Sequence, residues 1–212
     1  MKPYYNEGDI QIYLGNCLTV MEHLPEVDMI LTDPPWNLGY FEDDNKSWED
    51  YSKWLNKVKV LCESKADTVF IFQSTKAIPY VAHNFKGWSM FANPKNFCQM
   101  TPKHMPNAFD LAFFNSHKCY SGKGRNWHIG NNAKISNTAK GHPTARPTDS
   151  MKYIVNLFTC DTILDPFMGS GTTLVAAKEL GRKAIGTEIE EKYVKIAIDR
   201  LSQEVFPFKE RS

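Results

Sequence analysis

The chain has no apolar run near the roughly 20 residues that a helix needs to span a membrane, so a membrane anchor of that kind is not expected among its 212 residues. Its first residues, MKPYYNEGDIQIYLGN, lack a basic segment followed by an apolar stretch, and no secretion signal is read there. Cysteines are few and scattered: Cys17, Cys62, Cys98, Cys119 and Cys160 form no CxxC pair. That spacing argues against both a disulfide frame and a zinc site, so no metal is expected and the thiols suit a reducing, cytoplasmic setting. Repeats and low-complexity tracts are absent as well.

Acid is missing from the middle of the chain. Between Thr68 and Thr148 stand one acid, Asp110, and ten bases: Lys76, Lys86, Lys95, Lys103, Lys118, Lys123, Arg125, Lys134, Lys140 and Arg146. The middle is therefore net +9; the whole chain is +1, so the two ends together are −8. Five of the six histidines also lie in that middle. A polyanionic partner is the natural reading of such a segment.

Present instead is an alternation of strand and helix patterns. Strands are expected at Ile10 to Leu14, Val27 to Leu31 and in DTVFIFQS, with a short helix around Thr19 to His23. A second helix should start at Ser47, where Trp48, Tyr51, Trp54, Leu55, Val58 and Leu61 recur at helical spacing. From residue 84 to 141 the periodicity weakens, although FDLAFFN still reads as a strand, and a long stretch of that kind is usually functional or disordered. Order returns with a helix carrying Met151, Ile154, Val155 and Phe158 on one face. A strand, a glycine turn, a helix, a strand and a final helix through Arg200 follow. The expected architecture is α/β: a mostly parallel sheet covered by helices on both faces, in one domain over residues 1–212.

Two strand ends carry chemistry. In ILDPFMGSGTT a strand ends at Asp165, and Gly169 and Gly171 let the backbone turn tightly and approach a ligand. In open α/β sheets ligands sit beyond the carboxyl ends of strands, which makes this loop a cofactor cradle. It lacks the P-loop lysine, so a nucleoside triphosphate is disfavoured. One strand–helix–strand step later, Glu188 ends the next strand, where a carboxylate can accept both ribose hydroxyls of an adenosine-type cofactor. The other strand end is VDMILTDPPWNLGY. Its prolines fix φ and remove two N–H donors, and ionised Asp33 only accepts. Acceptors beside the flat face of Trp36 suit a planar ring bearing an amino group.

DPPW, followed much later by HPTARP, DPFMGSGTT and GTEIEEKY, resembles the amino-methyltransferases of DNA in the circularly permuted β arrangement, over about residues 12–200. The resemblance implies a Rossmann-like methyltransferase fold with a seven-stranded type of sheet in permuted order. It implies S-adenosylmethionine as cofactor, double-stranded DNA as partner, and a small basic target-recognition insertion at 84–141. The implied catalytic residues are Asp33, Pro34, Pro35 and Trp36: Asp33 and the Pro34 carbonyl would accept from the target amine, and Trp36 would stack on the base. Phe167, Gly169, Ser170 and Gly171 would line the cofactor with Asp165, Thr172 and Asp33, and Glu188 would hold the ribose. Thr144, Arg146 and Pro147 would hold its methionine end, with Arg146 on its carboxylate. The family often has Gly-Asp-Cys where this chain reads Gly15-Asn16-Cys17, so Asn16 and Cys17 are carried as cofactor residues without the charge. In the recognition segment Lys118, Lys123, Arg125, Trp127 and His128 are the DNA candidates.

The reaction implied is methyl transfer to N6 of a flipped adenine, in the context of restriction and modification. Readings left beside it are N4 of cytosine, an RNA substrate, and a non-catalytic nucleic-acid binder. No cysteine follows a proline, which removes carbon-5 cytosine chemistry. A homodimer and a cognate restriction enzyme stand as open partners.

Overall fold

The computed structural model describes residues 1–39, 45–101, 104–116, 120–121, 124–126, 128 and 146–203, with backbone alone for 95–101 and 104–109. The described strands form one eight-stranded sheet. In chain order these are β1 (Tyr5–Glu7), β2 (Ile10–Leu14), β3 (Val27–Thr32), β4 (Ala66–Gln73), β5 (Ser89–Thr101), β6 (His104–Ser116), β7 (Thr162–Asp165) and β8 (Lys183–Glu188). Across the sheet the order is β1-β2-β8-β7-β3-β4-β6-β5. The five strands from β2 to β4 in that order are parallel, with β1 antiparallel on one edge and the β5–β6 hairpin antiparallel on the other.

Alternation along each strand explains the two layers. Met29, Leu31, Phe70, Phe72, Ile10 and Ile12 point to one face, where they meet Met151, Ile154, Leu174 and Val194. Those four come from α4 (Thr148–Asn156), α5 (Thr172–Glu179) and α6 (Glu191–Ser202). Ile30, Val69, Ile71 and Tyr13 point the other way and meet Val20, Met21, Tyr51, Leu55 and Val81. Those come from α1 (Cys17–Glu22), α2 (Trp48–Glu63) and α3 (Ile78–Val81). Strands that are apolar on both sides are what a sheet covered on both faces requires, and this doubly covered α/β sheet is the architecture expected from the pattern.

Local signals are met at several ends. Ser47 caps α2: its Oγ accepts from Asp50 N at 3.1 Å, and Glu49 and Asp50 lie in the first turn, where the helix dipole favours acids. Helix α1 is capped by Asn16, whose Oδ1 accepts from Leu18 N at 2.9 Å; it starts two residues earlier than the pattern suggested. Strand β1 was not anticipated, being only three residues long and largely exposed.

The larger correction concerns residues 84–141. Residues 89–101 and 104–116 are strands of the main sheet, β6 pairing with β4 from Thr68↔Ser116 to Gln73↔Leu111.

Candidate active site at the carboxyl rim

Parallel pairing brings the two chemical loops together. Strands β3 and β7 are direct neighbours, registered Met29↔Ile163 and Ile30↔Leu164, so the DPPW turn and the glycine turn leave the sheet at one rim. A buried contact ties them: Thr32 Oγ1 donates to Asp165 Oδ1 at 2.8 Å across 133 positions of sequence. Strand β8 is the other neighbour of β7, which puts Glu188 at the same rim. The chain continues from β7 to β8 on one side, while β3 and β4 lie on the other. The site is therefore a topological switch point, the usual ligand crevice of an open α/β sheet.

The glycine turn is held from below. Gly169 and Gly171 have φ of +50° and +77°. A Cβ on Gly171 would sit 2.7 Å from the Cβ of Ala197, so backbone conformation and close packing on α6 both demand glycine there. Glu188 is fixed by two backbone donors, Gly169 N to Oε2 at 3.0 Å and Glu190 N to Oε1 at 2.9 Å. Burial raises its pKa, and those N–H groups oppose the shift. Each of its oxygens has taken one donor and keeps a lone pair for a hydroxyl. That donor set fits the ribose of an adenosine-type group, and Phe167 and Ser170 stand on the same turn.

Asp165 faces inward. It is 3% exposed, accepts from Thr32 and from Phe167 N at 3.1 Å, and burial pushes its pKa up from 3.8 to about 6. It braces the two loops from beneath. Thr172 is buried at the start of α5. Cys17 opens α1, and burial pushes its thiol up to about 12, so it is neutral and inert.

On the DPPW side, Asp33 follows β3 directly. Both of its oxygens are taken by Arg146, Nε to Oδ2 at 2.6 Å and Nη2 to Oδ1 at 3.0 Å, and Arg146 Nη1 donates to Asp110 Oδ2 at 2.9 Å. The guanidinium carbon lies 3.9 Å from the Phe72 ring centroid and 5.2 Å from that of Trp36. Burial raises the pKa of Asp33 while the guanidinium pulls it back; burial also works against the Arg146 charge, but Asp33 and Asp110 hold its pKa above the ordinary value. The sequence expectation put this arginine on a cofactor carboxylate; its partners here are two acids of the chain itself. Pro147 follows it, buried, as the residue before α4. Trp36 is partly buried against the core; its Nε1–H makes no hydrogen bond of full geometry among the described residues but is close enough to Asp33 to favour the carboxylate.

The turn itself is anchored by Tyr51. Its hydroxyl lies 2.9 Å from Pro35 O and 3.0 Å from Gln73 Oε1. One hydroxyl hydrogen cannot serve both acceptors, and Gln73 Nε2 is buried without a partner among the described residues. Turning the Gln73 amide over resolves both: Nε2 donates to Tyr51, and Tyr51 donates to Pro35.

Of the DNA candidates, Lys118, Lys123 and Trp127 lie outside the described residues, as does the cofactor candidate Thr144. Arg125 is exposed, and its N–H donates to the Tyr153 hydroxyl at 2.9 Å. His128 has a packing role: its ring stacks on Tyr153 at 4.3 Å, its N–H donates to Ala92 O at 3.0 Å, and burial lowers its pKa. No cluster of three or more potential metal ligands occurs among the described residues. No helix among them is long and apolar enough to cross a membrane.

Sequence reasoning missed Arg200. It is 7% exposed, and its Nη1 donates to Ser170 O at 2.6 Å and to the hydroxyls of Ser170 and Thr172, both at 3.0 Å. The glycine turn is thus held from α6 by a buried cation. A signal was available: Tyr193, Ala197 and Arg200 share a helical stripe with Val194 and Leu201, so an arginine stands at a core position.

Residues 99–199 match the family model described as DNA methylase. Over that stretch the chain resembles the N6/N4 DNA methylases. It is 26% identical to the type II methyltransferase M.HpaI of Haemophilus parainfluenzae over an alignment of 238 positions, gaps included, covering 92% of this chain and 75% of that protein. Among solved structures it resembles the complex of M1.HpyAVI with S-adenosylmethionine, at 25% identity and a TM-score of 0.70 over 92% of this chain and all of that one. The fold is also that of PvuII DNA methyltransferase, described as cytosine-N4-specific, with a TM-score of 0.80 at 18% identity over 97% and 90% of the two chains.

Proposed function

We propose that this protein is an S-adenosylmethionine-dependent methylase that transfers a methyl group to the N6 amine of an adenine extruded from double-stranded DNA. The observation that carries the reading is the Thr32–Asp165 contact between adjacent strands, which sets the Asp33 carboxylate and the glycine turn on one rim. Glu188, Phe167, Gly169, Ser170 and Gly171 would hold the adenosine end of S-adenosylmethionine, with Asn16 and Cys17 beside them and Pro147 toward its methionine end. Bound there, the cofactor supplies an electrophilic methyl group. Asp33 and the Pro34 carbonyl accept the hydrogens of the target amine, which draws its lone pair out of conjugation with the ring. The Asp33 carboxylate also stabilises the positive charge that builds on nitrogen, so catalysis comes from orientation and placed charge. Pro35 fixes the turn and Trp36 stacks on the base. Extrusion costs a few kcal/mol, offset by that stacking and by phosphate contacts from the basic segment.

Asp in first place of the DPPW turn is what favours adenine over N4 of cytosine. The DPPW turn also precedes the glycine turn in the chain, in keeping with the permuted β arrangement. Several relatives are named as type II methyltransferases, which supports a place beside a restriction enzyme acting on cytoplasmic DNA. The test is mass spectrometry of nucleosides from the DNA of expressing cells, with sequencing of the modified sites. N6-methyladenine in a fixed context is expected from the parent and is lost with Asp33→Asn, which still binds S-adenosylmethionine in calorimetry. N4-methylcytosine would replace the adenine reading, and methylation undiminished in the variant would remove Asp33 from the chemistry.

A further inference from the structure

The lone acid of the basic middle has a place in the site. Asp110 lies on β6 two residues before Ala112, which pairs with Phe72, so Asp110 and Phe72 face the same side of the sheet. Asp33 follows Leu31 at the same two-residue spacing, on the face that Leu31 and Phe72 share. The carboxylates of β3 and β6 thus flank Phe72 of the intervening β4, and the Arg146 guanidinium spans from one to the other. This group is planar, lies against the rings of Phe72 and Trp36, and donates N–H to both oxygens of Asp33. Those are the features the function reading asks of a target base: a flat ring for Trp36 and amine hydrogens for Asp33.

Resting on that reading, we propose that Arg146 occupies the place of the extruded base in the ligand-free protein, and that Asp110 is the positioning residue that retains it when a base amine claims Asp33. The two occupants exclude each other, since both need the oxygens of Asp33 and the face of Trp36. An arginine released with no other acid would become a buried unpaired cation. Asp110 already holds Nη1, and both side chains are mostly buried, at 8% and 9% exposed. The guanidinium can therefore turn about that contact, give up Nε and Nη2, and stay neutralised. Asp33 is then free to accept from the base, and no charge is stranded. The exchange also keeps Asp33 paired whenever no base is present.

Five arginines in the chain make the exchange observable by nuclear magnetic resonance of the full protein labelled with 15N-arginine, Arg146 being assigned with Arg146→Lys. The probes are sinefungin and a duplex carrying the sequence that expressing cells methylate. The Nε–H signal of Arg146 is expected to move when the duplex saturates the protein. A signal that stays fixed overturns the exchange, whatever any variant does. In Asp110→Asn, turnover should fall by roughly tenfold to a hundredfold, S-adenosylmethionine should bind within about twofold of the parent, and Asp110→Glu should recover part of the loss. Turnover in Asp110→Asn within twofold of the parent overturns the role of Asp110. If that variant does not fold, the parent's resonance still decides. Methylation by the parent with a fixed resonance sinks this proposal alone, whereas a parent that methylates no DNA takes the function reading down with it.

Discussion

Asp165 gives the structure a measurable dependence on pH. Only 3% exposed, it keeps acceptor contacts with Thr32 and Phe167, yet burial outweighs them and its pKa stands at about 6 against an ordinary 3.8. Below pH 3.8 the carboxyl is protonated in folded and unfolded chains alike. Between there and pH 6 the unfolded chain releases the proton while the folded chain retains it, so stability falls as pH rises. Above pH 6 both forms are ionised and the penalty is constant. A shift of that size corresponds to about 3 kcal/mol. Asp165→Asn removes the charge and keeps one oxygen for Thr32 and Phe167 N, while the Thr173 hydroxyl, which also donates to the carboxylate, loses a charged acceptor and part of the gain with it. At pH 7.5 the variant should be about 1–3 kcal/mol more stable than the parent, raising Tm by about 3–10 °C for a domain of this length. The assay is urea melts of both chains from about pH 4 to pH 8. Asp28 works in the opposite sense, because its contacts with Asp161 and Thr162 outweigh its burial and hold its pKa below the ordinary value. It is common to both chains, so the difference curve isolates Asp165. A variant less stable than the parent at pH 7.5, or two parallel curves, would refute the reasoning.

Two further outcomes follow from the glycine turn. Arg200→Met removes the buried donor from Ser170 and Thr172 and leaves their oxygens unsatisfied, which should cost about 2–3 kcal/mol; S-adenosylmethionine should bind several-fold more weakly, and calorimetry giving the parent's Kd would rule out its hold on the turn. Gly171→Ala meets both a φ of +77° and the Cβ of Ala197 at 2.7 Å. The expected loss is roughly 2–4 kcal/mol, and a melting temperature equal to the parent's would contradict the packing.

What the sequence determined by itself is what depends on near neighbours. Apolar runs closed by Asp33-Pro34 and Asp165-Pro166, a serine ahead of Trp48, and glycines at 169 and 171 fix strand ends, a helix start and a turn through backbone sterics and capping. The alternation of those pieces was enough for a parallel sheet covered on both faces. Tertiary structure alone decided which strands lie side by side, because pairing is a contact between residues far apart in sequence, and nothing local encodes β3 next to β7. It alone drew residues 89–101 and 104–116 into the sheet as a hairpin on its edge, because the pairing of β6 with β4 joins residues some 40 positions apart. And it alone gave Arg146 its partners, one acid 113 positions away and another 36, since a guanidinium buried between two aromatic rings must be neutralised by whatever carboxylates the fold carries to it.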